Sequence, residues 1–148
     1  MKRKIKNLLV AASGTGGHIF PALTVVDNLD KSWKINWLGI ENRCEIDLVP
    51  KKYNLFILNI DSPQGNNLSL MIKYLKIFIA TLPVIKIIIS KKIKLVFATG
   101  GYISVPSIIA AKLLNIPIII HESNLVPGLA TKYFGRYCNF VLTGFKET

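Results

Sequence analysis

The stretch that decides the fold is Leu8-Leu9-Val10-Ala11-Ala12-Ser13-Gly14-Thr15-Gly16-Gly17-His18. The aliphatic run from Ile5 to Ala12 ends in a glycine-rich turn, the pattern of a buried parallel strand. Pro21 to Leu29 then reads as a helix. A loop between such a strand and helix can offer free N–H groups and the positive end of the helix dipole to an anion. Glycine at 14, 16 and 17 permits positive φ and close approach of a ligand, and Thr15 adds a hydroxyl donor. Ser13 to His18 is therefore expected to bind phosphate or diphosphate.

Outward from that loop, strands and helices alternate. Strands are predicted at Lys34 to Leu38, Leu55 to Ile60, Leu95 to Ala98, Ile116 to Ile120 and Phe140 to Thr143. Helices are predicted at Glu45 to Lys51, Leu68 to Ile89, Val105 to Leu114 and Pro127 to Tyr133, with Pro83 kinking or dividing the long one. The expected class is α/β: a doubly wound, Rossmann-like parallel sheet covered on both faces. Ligands in such sheets gather outside the C-terminal ends of the strands. Three polar clusters fall at those ends: Gly14 to His18, Thr99 to Ser104, and His121 to Asn124.

Two common phosphate motifs fit poorly. A Walker loop would need Gly-Lys-Ser/Thr, which is not here. The dinucleotide fingerprint could start at Gly14 and Gly16, but its third glycine position is Ile19, and Glu41 is a poor ribose carboxylate. A nucleotide-binding oxidoreductase domain with a degenerate fingerprint stands as the alternative class. Thr99-Gly100-Gly101-Tyr102 is a second candidate phosphate loop, or only a tight turn. His18 suits phosphate binding or general base work, or merely starts a helix. His121 and Glu122 would point to opposite faces of a strand, so at least one is structural. No serine or cysteine stands in a nucleophile elbow, and the two histidines have no carboxylate at metal-ligand spacing.

Composition sets the outer bounds. The chain has 148 residues, 51% of them hydrophobic, which suits one domain with a real core. Its 19 basic and 8 acidic residues give a net charge of +11, which favours anionic partners. Cys44 and Cys138 read as free thiols in a reducing compartment. The basic opening Met1 to Lys6 leads into too short an apolar run for a secretion signal, and an intracellular protein is expected. A spanning helix needs roughly 20 mainly apolar residues. Leu68 to Ile89 is interrupted by Lys73, Lys76, Pro83 and Lys86, so it suits an anionic membrane surface or an ordinary packed helix with snorkelling lysines.

Gly14-Thr15-Gly16-Gly17-His18-Ile19-Phe20-Pro21-Ala22-Leu23 closely resembles the N-terminal signature of the MurG family of glycosyltransferases. Trp37-Leu38-Gly39, Asp47-Leu48-Val49-Pro50, Gly100-Gly101-Tyr102-Ile103-Ser104 and Ile120-His121-Glu122-Ser123-Asn124 agree in order. The resemblance runs from about Ile5 to the end and implies a GT-B fold. Residues 1–148 would be its Rossmann-like acceptor-side half, with the C-terminal UDP-GlcNAc-binding domain absent from them. The implied reaction moves GlcNAc from UDP-GlcNAc to the 4-hydroxyl of MurNAc in undecaprenyl-diphospho-MurNAc-pentapeptide, turning lipid I into lipid II with inversion, in peptidoglycan biosynthesis.

Carried over by position, His18 is implied as base or transition-state contact, and Thr15, Gly16 and Gly17 as contacts to the diphosphate and sugar region. Asn124 is implied as a donor-sugar contact, and Gly100, Gly101 and Tyr102 as the loop facing the acceptor diphosphate. The resemblance implies no metal, no cofactor and no nucleic acid. It implies a peripheral place on the cytoplasmic face of the bacterial inner membrane, with Leu68 to Ile89 toward the anionic bilayer. Ser13 departs from the pattern, standing where many relatives have glycine. A lone acceptor-side domain is not expected to transfer sugar efficiently, because holding both reactants in attack geometry supplies much of the rate. A fragment of a full-length enzyme is the expectation, with one half of a split enzyme and a non-catalytic lipid-diphosphate binding module as the alternatives.

Overall fold

The structure is a computed structural model that describes residues 5–63 and 66–148. Met1 to Lys4 of the basic opening and Gln64 and Gly65 of the polar loop lie outside the described residues. Strands β1 (Lys6–Ala11), β2 (Trp33–Ile40), β3 (Asn54–Leu58), β4 (Ile93–Ala98), β5 (Ile118–Glu122) and β6 (Phe140–Thr143) form one parallel sheet. Their order is β3-β2-β1-β4-β5-β6. The chain starts at the centre, builds one edge, then crosses back to build the other. The order reverses between β1 and β4, and that crevice is where a doubly wound sheet receives ligands.

Both faces are buried because β1 is apolar on both. Leu8, Val10 and Ala12 pack with Ile19, Ala22 and Val26 of α1 (Gly16–Asp27) and with Trp37. Leu9 and Ala11 join Val84 and Ile88 of α4 (Thr81–Ser90) and Ile108 and Ala111 of α5 (Ser104–Leu113). Burying each large aliphatic side chain contributes about 1.5–3 kcal/mol.

Three boundaries differ from expectation. Helix α1 starts at Gly16, inside the glycine loop and ahead of Pro21. Pro21 has no N–H to give the Gly17 carbonyl. That oxygen instead accepts a long bond, 3.5 Å, from Ser123 Oγ. The long apolar segment is two helices, α3 (Asn67–Ile79) and α4, and it breaks at Ala80 rather than at Pro83. Pro83 is the third residue of α4, in the first turn, where a missing N–H costs little. Strand β5 begins after Pro117, which cannot donate to the ladder, and runs on through His121 and Glu122. Two short helices, α2 (Glu45–Leu48) and α6 (Leu129–Phe134), complete the set that matters for the site.

Candidate functional site

The first loop joins β1 to α1. Gly14 alone there has positive φ, 97°, while Gly16 and Gly17 are already helical. A Cβ on Gly16 would lie 2.8 Å from the Phe20 ring, so that glycine serves packing. Thr15 caps α1 with extended backbone, and its hydroxyl makes no cap bond. The His18 and Ile19 N–H groups turn back to the Thr15 carbonyl, each at 3.1 Å, which leaves the Gly16 and Gly17 N–H groups and the Thr15 hydroxyl for a ligand.

Behind the loop sits a residue that sequence reasoning passed over. Glu45, at the start of α2, is wholly buried. Its carboxylate accepts the Ser13 hydroxyl, the Gly14 N–H at 3.3 Å and the Ile40 N–H at 2.6 Å. A Cβ on Gly39 would come within 2.7 Å of Glu45 Cγ, so Gly39 makes the room. Trp37 Nε1 donates to the Ala12 carbonyl at 2.9 Å and completes the grip from β2. The Gly14 N–H is turned inward onto a carboxylate, so that amide is taken up within the protein. In the sequence, an acid opening a short helix reads only as a favourable dipole partner.

At the end of β4, Gly100 and Gly101 have φ of 87° and 71°. Both lie against the His18 ring: a Cβ on Gly100 would sit 3.3 Å from Cε1, and one on Gly101 3.8 Å from Nε2. Their bareness seats His18. Ser104 Oγ donates to the Gly100 carbonyl at 2.6 Å and pins the turn. His18 Nδ1 is shut off from solvent without a partner, which leaves Nε2 as the nitrogen open to the cleft.

The third cluster is ordered by Glu122, which is 1% exposed. Its carboxylate accepts Thr131 Oγ1 at 2.6 Å, the Asn124 side-chain amide at 2.8 Å, and the Asn124 and Gly128 N–H groups, each at 3.0 Å. Desolvation pushes this carboxyl up, but the four bonds outweigh it and hold the group below the ordinary glutamate value. Glu122 is the structural member of the His121–Glu122 pair, and it aims Asn124. His121 Nδ1 is buried without a partner.

These parts converge on two adjoining cavities. The larger, about 590 Å³, is lined by His18, Gly101, Tyr102, Glu122 and Asn124, and by Tyr74, Ile77 and Phe78 of α3. The smaller, about 310 Å³, is lined by Ser13, Gly14, Thr15, His18, Arg43, Gly101 and Tyr102. His18, Ser62, Gly101 and Tyr102 belong to both. Gly16 and Gly17 line neither, while Thr15 and Asn124 face one each. Among the described residues no group of three or more His, Cys, Asp or Glu side chains could hold a metal ion.

Beyond the cleft, α3 shows an apolar stripe to solvent. Leu68, Met71, Ile72, Leu75, Phe78 and Ile79 are exposed, and only Ile77 of this helix is buried. No described helix is long and apolar enough to cross a membrane.

Residues 8–143 match the glycosyltransferase family 28 N-terminal domain. The chain belongs to this family. The family 28 domain is 58% identical, over all of its 148 residues, to a Prochlorococcus marinus (strain MIT 9515) protein. That relative is named UDP-N-acetylglucosamine--N-acetylmuramyl-(pentapeptide) pyrophosphoryl-undecaprenol N-acetylglucosamine transferase. A second relative of that name, from strain NATL2A, is 49% identical over 93% of the chain. The chain spans 40% and 39% of these relatives' lengths. A crystal structure of Acinetobacter baumannii MurG superposes with a TM-score of 0.84 at 32% identity, covering 97% of this chain and 43% of that one. The architecture is thus the Rossmann-like N-terminal half of a GT-B glycosyltransferase. The Methanocaldococcus jannaschii UDP-GlcNAc 2-epimerase, at TM-score 0.63 and 11% identity over 95% of this chain and 40% of that one, shares the fold alone.

Proposed function

We propose that this family 28 domain is the acceptor-side half of a transferase that moves GlcNAc from UDP-GlcNAc to the 4-hydroxyl of MurNAc in undecaprenyl-diphospho-MurNAc-pentapeptide. The observation that carries the reading is His18 seated on Gly100 and Gly101 at the wall shared by two cavities. It stands in a chain matched end to end by a relative whose name contains both substrates. The 4-hydroxyl oxygen bonds to C1 of GlcNAc as the C1–oxygen bond to UDP breaks, with inversion. The hydroxyl proton passes to His18 Nε2, the ring nitrogen with access to the cleft. No carboxylate hydrogen-bonds Nδ1, so the ring is held by packing rather than by an acidic partner.

The Thr15 hydroxyl, on the wall of the smaller cavity and without a cap bond, suits the diphosphate. The Asn124 side chain gives one N–H to Glu122, which leaves its carbonyl oxygen for a hydroxyl of the donor sugar. The donor's nucleotide is held by the remainder of the transferase, since the relatives are more than twice as long as this chain.

The exposed stripe of α3 lays the domain on an anionic bilayer, with the net charge of +11 adding attraction. On this reading the polyprenyl acceptor reaches the cleft from a membrane face. The deciding experiment offers UDP-GlcNAc and a lipid I analogue to the domain with and without the C-terminal remainder. Transfer to the MurNAc 4-hydroxyl only when both parts are present is expected. A completed enzyme that leaves the lipid analogue untouched would sink the reading. Vesicle sedimentation checks the membrane part: the domain should prefer anionic over neutral vesicles, and equal binding would remove the electrostatic contribution.

A further inference from the structure

The smaller cavity lies between the two glycine loops, and Arg43 is its one lining residue with a permanent positive charge. Arg43 is on the turn between β2 and α2, two residues before Glu45. Glu45 grips Ser13 and Gly14, so the carboxylate that shapes the first loop also fixes where Arg43 emerges. From there its Nη2 donates to Tyr102 Oη across the cavity, at a long 3.4 Å. Among the described residues no carboxylate lies within ion-pair distance of Arg43. The nearby acid, Glu45, is turned away and taken up by Ser13, Gly14 and Ile40. An unneutralised guanidinium thus overhangs a pocket walled by the Thr15 cap and by Tyr102.

Resting on the transferase reading above, we infer that Arg43 is the side chain that binds the acceptor's diphosphate. An organic diphosphate diester carries two negative charges, and the backbone amides of a helix start offer only partial charge. A guanidinium supplies a full charge and a planar fork matched to phosphate oxygens. Tyr102 accepts from Arg43, so its phenolic O–H is left to donate to the same phosphate. Arg43 and Tyr102 form a clamp on the cavity that Thr15 and His18 also line. UDP-GlcNAc carries the same chemical group, and the loops of this cavity belong to the acceptor-side domain, so the assignment is to the lipid-linked diphosphate.

The test uses the completed transferase with Arg43→Ala and Arg43→Lys, titrating a lipid I analogue and UDP-GlcNAc separately. For Arg43→Ala the acceptor KM should rise about ten- to hundredfold, the loss of a charged hydrogen bond. Its kcat should stay within a few-fold and the UDP-GlcNAc KM should not move. Arg43→Lys should recover part of the acceptor KM, since charge returns without the fork. The wild-type acceptor KM should rise with salt more steeply than that of Arg43→Ala. An unchanged acceptor KM in a variant that melts like wild type would overturn the inference, as would a rise confined to the UDP-GlcNAc KM. A wild-type enzyme inactive toward the lipid diphosphate would instead bring down the transferase reading itself.

Discussion

At the end of β1 only Gly14 takes a positive φ, 97°, and Gly16 and Gly17 already belong to a helix. At the end of β4 Gly100 and Gly101 both do, at 87° and 71°, and their missing side chains are filled by the His18 ring. Both loops are spelled with a pair of glycines after a short apolar strand. The first presents a threonine hydroxyl to the smaller cavity and is braced from behind by Glu45. The second is a seat for a side chain of the first. A glycine pair in sequence therefore announces a close approach without saying whether a ligand or the chain itself makes it.

The comparison can be broken most sharply at the residue the loops share. In the completed transferase His18→Ala should lower kcat by about 10²–10⁴-fold, the usual worth of a general base. Single-turnover transfer measures this, and a near-normal rate would reduce the second loop's seat to packing alone.

The first loop and the third cluster each depend on a buried carboxylate, and Glu122 of the third cluster offers the next largest effect. Glu122→Ala strands the Thr131, Asn124 and Gly128 donors, at a cost of about 3 kcal/mol in urea unfolding. Its pH dependence has a defined sign. The folded-state value lies below the ordinary 4.5, so the stabilisation is complete above 4.5 and is lost as pH falls through the folded value. Melting of wild type should therefore drop more steeply than that of Glu122→Gln as pH falls below 4.5. Parallel curves would remove Glu122 as the organiser of the third cluster.

The smallest effects separate the glycines themselves. Gly100→Ala forces a side chain into the left-handed region and against His18, costing about 1–3 kcal/mol. Gly17→Ala sits in a helix with its Cβ no nearer than 3.6 Å to Thr15 Oγ1, and should leave stability equal or raise it by up to about 1 kcal/mol. Equal losses in urea titrations would erase the distinction between the loops.

Much of this site was legible along the chain. Short aliphatic runs ending in glycine or in polar residues located the strand ends, and the α/β alternation placed three clusters on one edge of a parallel sheet. Thr15, His18, Tyr102 and Asn124 all line the resulting cavities. Arg43 and Glu45 were not legible, because their relevance depends on β2 lying beside β1. The Ser13–Glu45 contact spans 32 residues, and nothing local in Cys44-Glu45-Ile46 announces it. The break at Ala80 was hidden for a related reason: Pro83 looked disruptive in a long apolar run, yet a proline in a first turn is compatible with a helix.

By itself, then, the sequence determined the elements and their class, because hydrophobic period and glycine punctuation act over a few residues and survive without knowledge of neighbours; the family followed from the resemblance of whole motifs such as Gly14 to Leu23. Only the tertiary structure decided what each glycine is for and which Gly14 group faces inward. It alone brought Arg43 over the cavity. Those outcomes depend on strand order and on desolvation, which turns a buried carboxylate such as Glu45 toward whatever donors the adjacent strand supplies.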